Sequence, residues 1–318
     1  MRAVIAKDRQ PAIVTLPDLT PAADEVLIHV KATALNRADL LQVKGNYPPP
    51  PGAPETLGLE LAGDVAAIGQ DVTHVRVGDR VMVLVGGGGY AEQATVKAAH
   101  VIPIPAHLSY EEAAAIPEAF LTAYSNMIDI GRLTQGERVL IHAGASGVGL
   151  AATQIAKAIG ATVIVTASAA KHEICQAAGA DMTIDYKTEN FAERIIQTYG
   201  GVHLVLEMIG APYWDDNMRV LANWGRLVFI GLQGGALKEI NFGVIMQKRL
   251  SIMGSTLRNR TDVEKTTLIN NFTAWAMPHF EAGTLKPNIW KIMPLDDVVA
   301  AHDLMRENAN AGKIVLTV

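Results

Sequence analysis

A glycine-rich turn near the middle of the chain decides how it folds, and it reads Arg138-Val139-Leu140-Ile141-His142-Ala143-Gly144-Ala145-Ser146-Gly147-Val148-Gly149. The apolar run before Ala143 is typical of a buried parallel strand, and a helix is predicted from the glycines through Ile159. A glycine turn at this junction lets the backbone approach a pyrophosphate, while the helix N-terminus offers unpaired N–H groups. The turn therefore predicts a dinucleotide site whose contacts come from Gly144, Ser146, Gly147, Val148 and Gly149.

The sequence around this turn alternates strands and helices in the rhythm of a parallel sheet with crossover connections. Six strands are predicted, at residues 138–142, 162–167, 182–185, 202–208, 226–230 and 250–253. Six parallel strands complete one doubly wound sheet of the Rossmann type. The fold class is therefore α/β, with this sheet as the nucleotide-binding part.

The first third of the chain has a different pattern, with short β segments separated by loops rich in proline and glycine. Strands are predicted at 3–6, 25–33, 61–68 and 80–84, which favours a small, mostly antiparallel, barrel-like domain. After residue 258 come a helix at 263–282, a strand at 288–293, a helix at 295–307 and a strand at 313–318. This tail is too short to fold alone, so we expect it to pack on one of the other parts.

The residues after the second strand of the sheet select the cofactor. An NAD-binding protein usually has Asp or Glu there to bind the ribose 2'-hydroxyl, but Ala167 is followed by Ser168 and, three residues later, Lys171. A hydroxyl and an ammonium can bind a 2'-phosphate through charge-assisted hydrogen bonds, which favours NADPH. The alternative is that Ser168 caps a helix and Lys171 is a solvated surface residue.

Composition excludes several other classes of function. The net charge is -5, with no run of Lys or Arg, so neither nucleic acid nor an anionic membrane is an expected partner. The single cysteine, Cys175, excludes intrachain disulfides and zinc sites built from several thiolates, and is expected to be buried filler. The N-terminal residues lack the apolar centre of a signal peptide, and a cytoplasmic location is expected.

Several separated motifs together resemble one known family. They are Asn36-Arg37-Ala38-Asp39, Gly45-Asn46-Tyr47-Pro48-Pro49-Pro50, Gly58-Leu59-Glu60, the glycine-rich turn after His142, and Gly312-Lys313-Ile314-Val315-Leu316. In this order they resemble the quinone oxidoreductases of the medium-chain dehydrogenase/reductase superfamily. The resemblance covers essentially the whole chain, and it implies reduction of a quinone or another conjugated carbonyl compound by NADPH.

The resemblance also implies a domain organisation. Residues 1–119 and 258–318 are expected to form a GroES-like β-barrel catalytic domain, and residues 120–257 a Rossmann NADPH-binding domain, with the active site in the cleft. Relatives commonly form homodimers by pairing the last strand of the nucleotide domain, here residues 249–255. An exposed edge strand otherwise invites uncontrolled pairing, so a closed dimer is physically reasonable.

Zinc-dependent relatives hold their catalytic metal at three positions that carry no such ligands here. The resemblance aligns one zinc-binding cysteine with Asn36 and a histidine with Leu59, and it places a second cysteine near Glu118. A zinc-free site is therefore expected. A quinone is already electron-poor, so a Lewis acid is not required for it to accept a hydride.

The resemblance assigns roles to the remaining site residues. Asn36 and Tyr47 are expected to face the substrate and to hydrogen-bond a carbonyl oxygen that gains negative charge. Without the resemblance, Asn36 is a turn residue and Tyr47 a loop aromatic packed on prolines. The expected cofactor contacts are Thr122 at the nicotinamide, Lys171 and Tyr186 at the 2'-phosphate, and Gly231 with Leu257 at the nicotinamide ribose.

Two other functions remain open from the sequence. An enoyl-thioester reductase would require a basic patch for the phosphates of coenzyme A, and none is obvious in the sequence. A non-catalytic, crystallin-like NADPH-binding protein is the alternative of another class. The retention of Asn36 and Tyr47 argues against it, and the acidic net charge argues against a role in RNA binding.

Overall fold

The computed structural model describes all 318 residues, which divide into two compact units. The first unit is Met1–Leu121 with Arg258–Val318, and the second is Thr122–Leu257. The first boundary expected from the sequence, after residue 119, lies two residues before the one in the structure, after Leu121. The ring of Phe120 packs edge-on against that of Phe280 in the first unit, with centroids 5.0 Å apart. That contact keeps this part of the helix in the first unit.

The chain up to residue 124 contains, in order, strands β1 (Arg2–Lys7), β2 (Gln10–Thr15) and β3 (Glu25–Ala34), helix α1 (Arg37–Val43), strands β4 (Glu60–Ile68), β5 (Arg80–Leu84), β6 (Gln93–Lys97) and β7 (Ile102–Pro103), and helices α2 (Tyr110–Ala114) and α3 (Pro117–Tyr124). The four predicted strands are confirmed as β1, β3, β4 and β5, all in antiparallel pairings. Strand β7 was not predicted, and neither was strand β2. Its turn from β1 is formed by Asp8 and Arg9 with φ of 50° and 61°, a conformation for which the usual sequence signal is Asn-Gly.

The second unit contains, in order, β8 (Arg138–Ile141), α4 (Gly147–Ile159), β9 (Thr162–Ala167), α5 (His172–Ala177), β10 (Met182–Asp185), α6 (Phe191–Tyr199), β11 (Val202–Glu207), α7 (Trp214–Val220), β12 (Leu221–Phe229), α8 (Gly243–Lys248) and β13 (Ser251–Gly254). All six predicted strands are confirmed, and they form one parallel sheet in the order β10-β9-β8-β11-β12-β13. The strand order reverses between β8 and β11. In such sheets, ligands bind at the carboxyl ends of the strands beside this reversal.

The tail contains α9 (Asp262–Glu281), β14 (Ile289–Pro294), α10 (Val298–Arg306) and β15 (Lys313–Thr317). Strand β15 pairs antiparallel with β3, with Val315 opposite Ala34, and its other edge pairs with β14. The tail thus completes the seven-stranded sheet of the first unit. The fold class expected from the sequence, an antiparallel β unit with a doubly wound parallel sheet, is confirmed.

Two further expectations concern single features. Cys175 on α5 is fully buried, and burial raises the pKa of its thiol to about 11, which leaves it as an unreactive apolar filler. None of the helices has both the length and the apolar character needed to cross a membrane.

Candidate functional site

The glycine turn after β8 lies so close to its neighbours that side chains do not fit. A Cβ on Gly144 would lie 2.6 Å from the Cβ of Val165, and a Cβ on Gly149 would lie 2.4 Å from the carbonyl oxygen of Ala143. The Gly144 N–H donates to the carbonyl of Thr166 at 2.9 Å, which ties the turn to the end of β9. The turn is therefore a rigid, backbone-lined surface.

Ser146 is the N-cap of α4. Its Oγ accepts a hydrogen bond from the Gly149 N–H at 3.0 Å, and its hydroxyl lies 3.9 Å from the sulfur of Met208. The hydroxyl therefore stabilises the first turn of the helix, a role that sequence reasoning left open. The backbone N–H groups of Gly147 and Val148 lie in the same first turn of the helix, where no carbonyl of the helix can accept their hydrogen bonds. They are therefore available to bind a phosphate group.

Strand β9 ends at Ala167, and the residues that follow it, up to Lys171, carry no carboxylate. Ala167 pairs with Asp185 of β10, so Ser168 and Tyr186 each follow one member of the same register pair and lie side by side. Ser168 precedes a short 3-10 turn that ends at Lys171, but its hydroxyl makes no capping hydrogen bond. The structure therefore places Ser168 and Tyr186 after adjacent strand ends, with Lys171 at the end of the turn that follows Ser168.

The other predicted cofactor residues in the second unit are Thr122, Gly231 and Leu257. The hydroxyl of Thr122 is buried and has no hydrogen-bond partner in the protein. An orphaned buried hydroxyl requires a partner, and a bound ligand can provide one. Gly231 lies against the loop after β11, where a Cβ would approach the carbonyl oxygen of Met208 to 3.2 Å. Leu257 is half-buried. These features fit a bound dinucleotide.

The first unit contains a buried cluster of Asn36, Glu60 and Lys313. The Asn36 amide donates to Glu60 Oε1 at 2.8 Å and to the carbonyl of Ala34 at 3.3 Å, while its oxygen accepts from Lys313 Nζ at 2.6 Å. Lys313 Nζ is also 2.6 Å from Glu60 Oε1, and both side chains are at least 95% buried. Every polar atom of the Asn36 side chain is thus bonded within the protein. Its predicted contact with substrate requires one of these bonds to be exchanged.

The three positions that hold zinc in metal-dependent relatives do not fit a metal here. Leu59 is apolar and buried, and the Glu118 backbone N–H donates to Glu60 Oε2 at 2.8 Å. The Lys313 ammonium beside Asn36 and Glu60 would repel a divalent cation. No three His, Cys, Asp or Glu side chains in the chain come together as a metal site.

Tyr47 differs from Asn36 because its hydroxyl makes no hydrogen bond within the protein. The guanidinium of Arg258 lies 4.9 Å from the centre of the Tyr47 ring and donates to the Tyr47 carbonyl at 2.8 Å. Arg258 is buried and also donates to Gln42 Oε1 at 2.6 Å and to the Gly86 carbonyl at 2.9 Å. One arginine thus fixes the loop of Tyr47 to α1 and to a second loop.

Burial raises the pKa of Tyr47, and Arg258 partly opposes this effect. The phenol is therefore a neutral hydrogen-bond donor near neutral pH. Sequence reasoning missed Arg258, Glu60 and Lys313 as parts of the site. Their partners are far away in the chain, although Glu60 and Lys313 both occur within the motifs quoted above.

Comparison with known proteins gives matches over nearly the whole chain. The profile of the zinc-binding dehydrogenases matches residues 147–272, and that of the alcohol dehydrogenase GroES-like domain matches residues 22–106. The zebrafish synaptic vesicle membrane protein VAT-1 homolog is 35% identical over 92% of this chain, which spans 64% of that protein. The quinone oxidoreductase of Lama guanicoe is 33% identical, with 93% of this chain and 89% of that protein aligned.

Solved structures of two kinds share this fold. The quinone oxidoreductase of Escherichia coli, solved in complex with NADPH, has a TM-score of 0.88 at 31% identity and is covered to 99%. The CurK enoyl reductase has a TM-score of 0.89 at 30% identity and is covered to 98%, and each alignment includes at least 99% of this chain.

Proposed function

Because the chain belongs to the medium-chain dehydrogenase/reductase superfamily, in its zinc-free, quinone-oxidoreductase-like branch, we propose that it is an NADPH-dependent reductase of quinones or other conjugated carbonyl compounds. The observation that carries this proposal is the free hydroxyl of Tyr47, which lies on a loop that the buried Arg258 holds in place. It is a fixed, neutral donor with no partner of its own.

NADPH is the proposed cofactor because the second unit has a glycine turn, a capped helix N-terminus and no carboxylate after β9. Gly147 and Val148 would bind the pyrophosphate through their backbone N–H groups, and Ser168, Lys171 and Tyr186 the 2'-phosphate. The orphaned Thr122 hydroxyl would bind near the nicotinamide. When bound, NADPH supplies the hydride.

The residues of the first unit would act on the acceptor. As hydride reaches a conjugated carbonyl compound, negative charge develops on its oxygen, and the Tyr47 hydroxyl would donate a hydrogen bond to that oxygen. The nearby Arg258 guanidinium favours this charge electrostatically. The proton that completes the reduction comes from Tyr47 or from solvent. No step requires a metal, which agrees with the ammonium of Lys313 beside Asn36, one of the positions aligned with zinc ligands.

A second candidate, reduction of an enoyl thioester, is favoured by one feature of the first unit. An open depression of about 480 Å³ is lined by Arg9, Gln10, Lys44, Asn46 and Arg306. Arg9 and Lys44 would attract the phosphates of a coenzyme A or phosphopantetheine group, whereas Arg306 is already paired with Asp303. Sequence reasoning did not find this patch because its residues come from three distant parts of the chain. The similarity to the CurK enoyl reductase supports the same interpretation.

The decisive experiment is NADPH oxidation against a matched panel of ortho-quinones, para-quinones, enones and enoyl-coenzyme A thioesters, with and without a chelator. We expect turnover with quinones or enones that the chelator does not change. A strong preference for the thioester, lost in Lys44→Glu but not in the control Lys31→Glu, would establish the second candidate instead. NADPH binding without turnover of any acceptor would indicate a non-catalytic protein.

A further inference from the structure

Beneath the glycine turn, four buried polar side chains form a continuous hydrogen-bonded chain. It begins at Thr166 of β9, whose hydroxyl lies 3.0 Å from Nδ1 of His142. His142 follows β8, and its Nε2 lies 2.9 Å from Oδ1 of Asn217 on α7. All three residues are almost fully buried, with at most 1% of their surface exposed.

The chain ends at Glu207, the last residue of β11. The Asn217 amide nitrogen donates to Oε2 of this carboxylate, and Oε1 accepts the backbone N–H groups of Ile209 and Gly210, the latter at 3.0 Å. Glu207 is completely buried and is paired with no Lys or Arg; the nearest basic group is His142 Nε2 at 3.7 Å. Its charge is stabilised by these three donors.

The carboxylate sets the direction of every bond in the chain. A carboxylate only accepts, so Asn217 must point its amide nitrogen at Glu207 and its oxygen at His142. That oxygen needs a donor, so the proton of His142 lies on Nε2. Burial lowers the pKa of His142, which keeps the ring neutral and leaves Nδ1 to accept the hydroxyl proton of Thr166.

The chain connects three segments that carry cofactor contacts. The Thr166 carbonyl accepts from Gly144 of the glycine turn, and Thr166 lies two residues before Ser168. At the other end, Glu207 holds the loop of residues 208–210, and this loop packs against Gly231. The ends of β8, β9 and β11 are thus fixed by one set of aligned bonds, which strengthen one another.

We propose that Thr166, His142, Asn217 and Glu207 are positioning residues that align the three loops for dinucleotide binding, with Glu207 setting the Nε2–H tautomer of His142. The role in binding rests on the proposed NADPH function, whereas the tautomer does not. None of the four needs to touch the cofactor.

The variant Glu207→Gln gives a sharp test because it reverses the chain. Ile209 and Gly210 still require an acceptor, so the oxygen of the introduced amide stays with them and its NH2 group faces Asn217. Asn217 must then flip, and His142 must move its proton from Nε2 to Nδ1. The 15N chemical shifts of the imidazole nitrogens distinguish the two forms. The control Thr166→Val removes only the far end and should retain the Nε2–H tautomer.

We expect Nε2–H in the wild type and in Thr166→Val, and Nδ1–H in Glu207→Gln. A wild-type ring protonated on Nδ1 would overturn the proposal even if the variant did not fold, and so would a tautomer that Glu207→Gln leaves unchanged.

Binding measurements on the same proteins test the positioning role. Glu207→Gln replaces charge-assisted bonds to the 208–210 loop with weaker neutral ones. We expect about a fivefold loss of NADPH affinity, and less than a twofold change for adenosine 2',5'-bisphosphate, which lacks the nicotinamide half. Equal losses for both ligands with a lower melting temperature would reduce the chain to a general structural role. A wild type that binds neither ligand would refute the NADPH function and leave the tautomer result standing.

Discussion

At the scale of single residues, the site separates into groups whose bonds are complete and groups that still need a partner. The Asn36 side chain has all of its hydrogen-bonding atoms paired, because its amide bonds to Glu60, Lys313 and a backbone carbonyl. The hydroxyls of Tyr47 and Thr122 make no hydrogen bond within the protein. Residue type alone suggested equal roles for Asn36 and Tyr47, and only the structure separates them, since the partners of Asn36 lie up to 277 positions away in the chain.

Tyr47→Phe removes the free hydroxyl and retains the ring that packs on Arg258. We expect about a tenfold fall in kcat for quinone reduction, because one positioned donor is lost where water can partly replace it, and little change in NADPH affinity. Steady-state kinetics with a fluorescence titration measure both. Tyr110→Phe is the matched control, since Tyr110 also packs against an arginine, Arg80, with 4.6 Å between guanidinium and ring centre. Equal kinetics in the wild type and Tyr47→Phe would remove Tyr47 from the reaction.

Lys171→Ala tests the choice of cofactor. A hydrogen bond to a charged group contributes about 1.5 to 3 kcal/mol, so NADPH should bind roughly ten- to a hundredfold more weakly while NADH binding stays almost unchanged. Titrating both nucleotides by fluorescence measures the difference. Lys157→Ala, which removes an ammonium paired with Asp181 at 2.9 Å, controls for the loss of charge. A wild type that prefers NADH would overturn the assignment of NADPH.

At the scale of elements, the hydrophobic rhythm of the sequence was sufficient to place all six strands of the parallel sheet. The central strands β8, β9 and β11 are short and almost wholly buried, so their apolar runs carry the signal, whereas the edge strand β13 is only partly buried. The local pattern did not predict β2, because the turn before this strand has Asp8 and Arg9 at positive φ and contains no glycine. The hydrogen-bonded series of side chains from Thr166 through His142 and Asn217 to Glu207 could not be predicted either, because sequence spacing does not show which buried polar side chains contact each other.

Helix α10 buries His302, whose two ring nitrogens have no hydrogen-bond partner in the protein. Burial lowers the pKa of His302 to about 4, so between pH 6.5 and 4 the unfolded chain binds a proton more readily than the folded one. Stability is therefore lost as the pH falls through this range, by about 2 kcal/mol at pH 5 from this residue.

His302→Phe should abolish that loss, so that urea unfolding at pH 7 and pH 5 shows a drop about 2 kcal/mol smaller than in the wild type. Asp39 acts in the opposite direction, because burial raises the pKa of its carboxyl to about 6. Both proteins contain Asp39, so its effect cancels in the comparison. Parallel losses in the two proteins would show that His302 does not titrate in this way.

At the scale of the whole molecule, we propose that two copies associate through β13. This strand is the edge of the parallel sheet, and the segment before it exposes Phe242 and Met246 to 66% and 78%. Pairing two identical edge strands across a two-fold axis satisfies the backbone hydrogen-bonding groups of both strands and limits the assembly to two subunits. Sequence alone pointed to the strand, but not to the exposed apolar side chains that precede it.

Phe242→Glu should raise the dimer dissociation constant at least a hundredfold, because each subunit would bring an unpaired carboxylate into an apolar contact. Analytical ultracentrifugation of both proteins over a range of concentrations measures it. Val263→Glu, a similarly exposed apolar position in the first unit at 76%, is the control and should leave the mass unchanged. A wild-type protein that sediments at 33.9 kDa at all concentrations would exclude the dimer.

The position of Lys313 has a consequence for the order of events during synthesis on the ribosome. Residues 122–257 leave the ribosome as a continuous piece and can fold at once, whereas Glu60 lacks its ammonium partner until Lys313 has been added. A nascent chain halted before Lys313 should therefore contain an incomplete first unit and a complete second unit. Chaperones that bind incomplete sheets would find their target in residues 1–121, although these residues are made before the second unit.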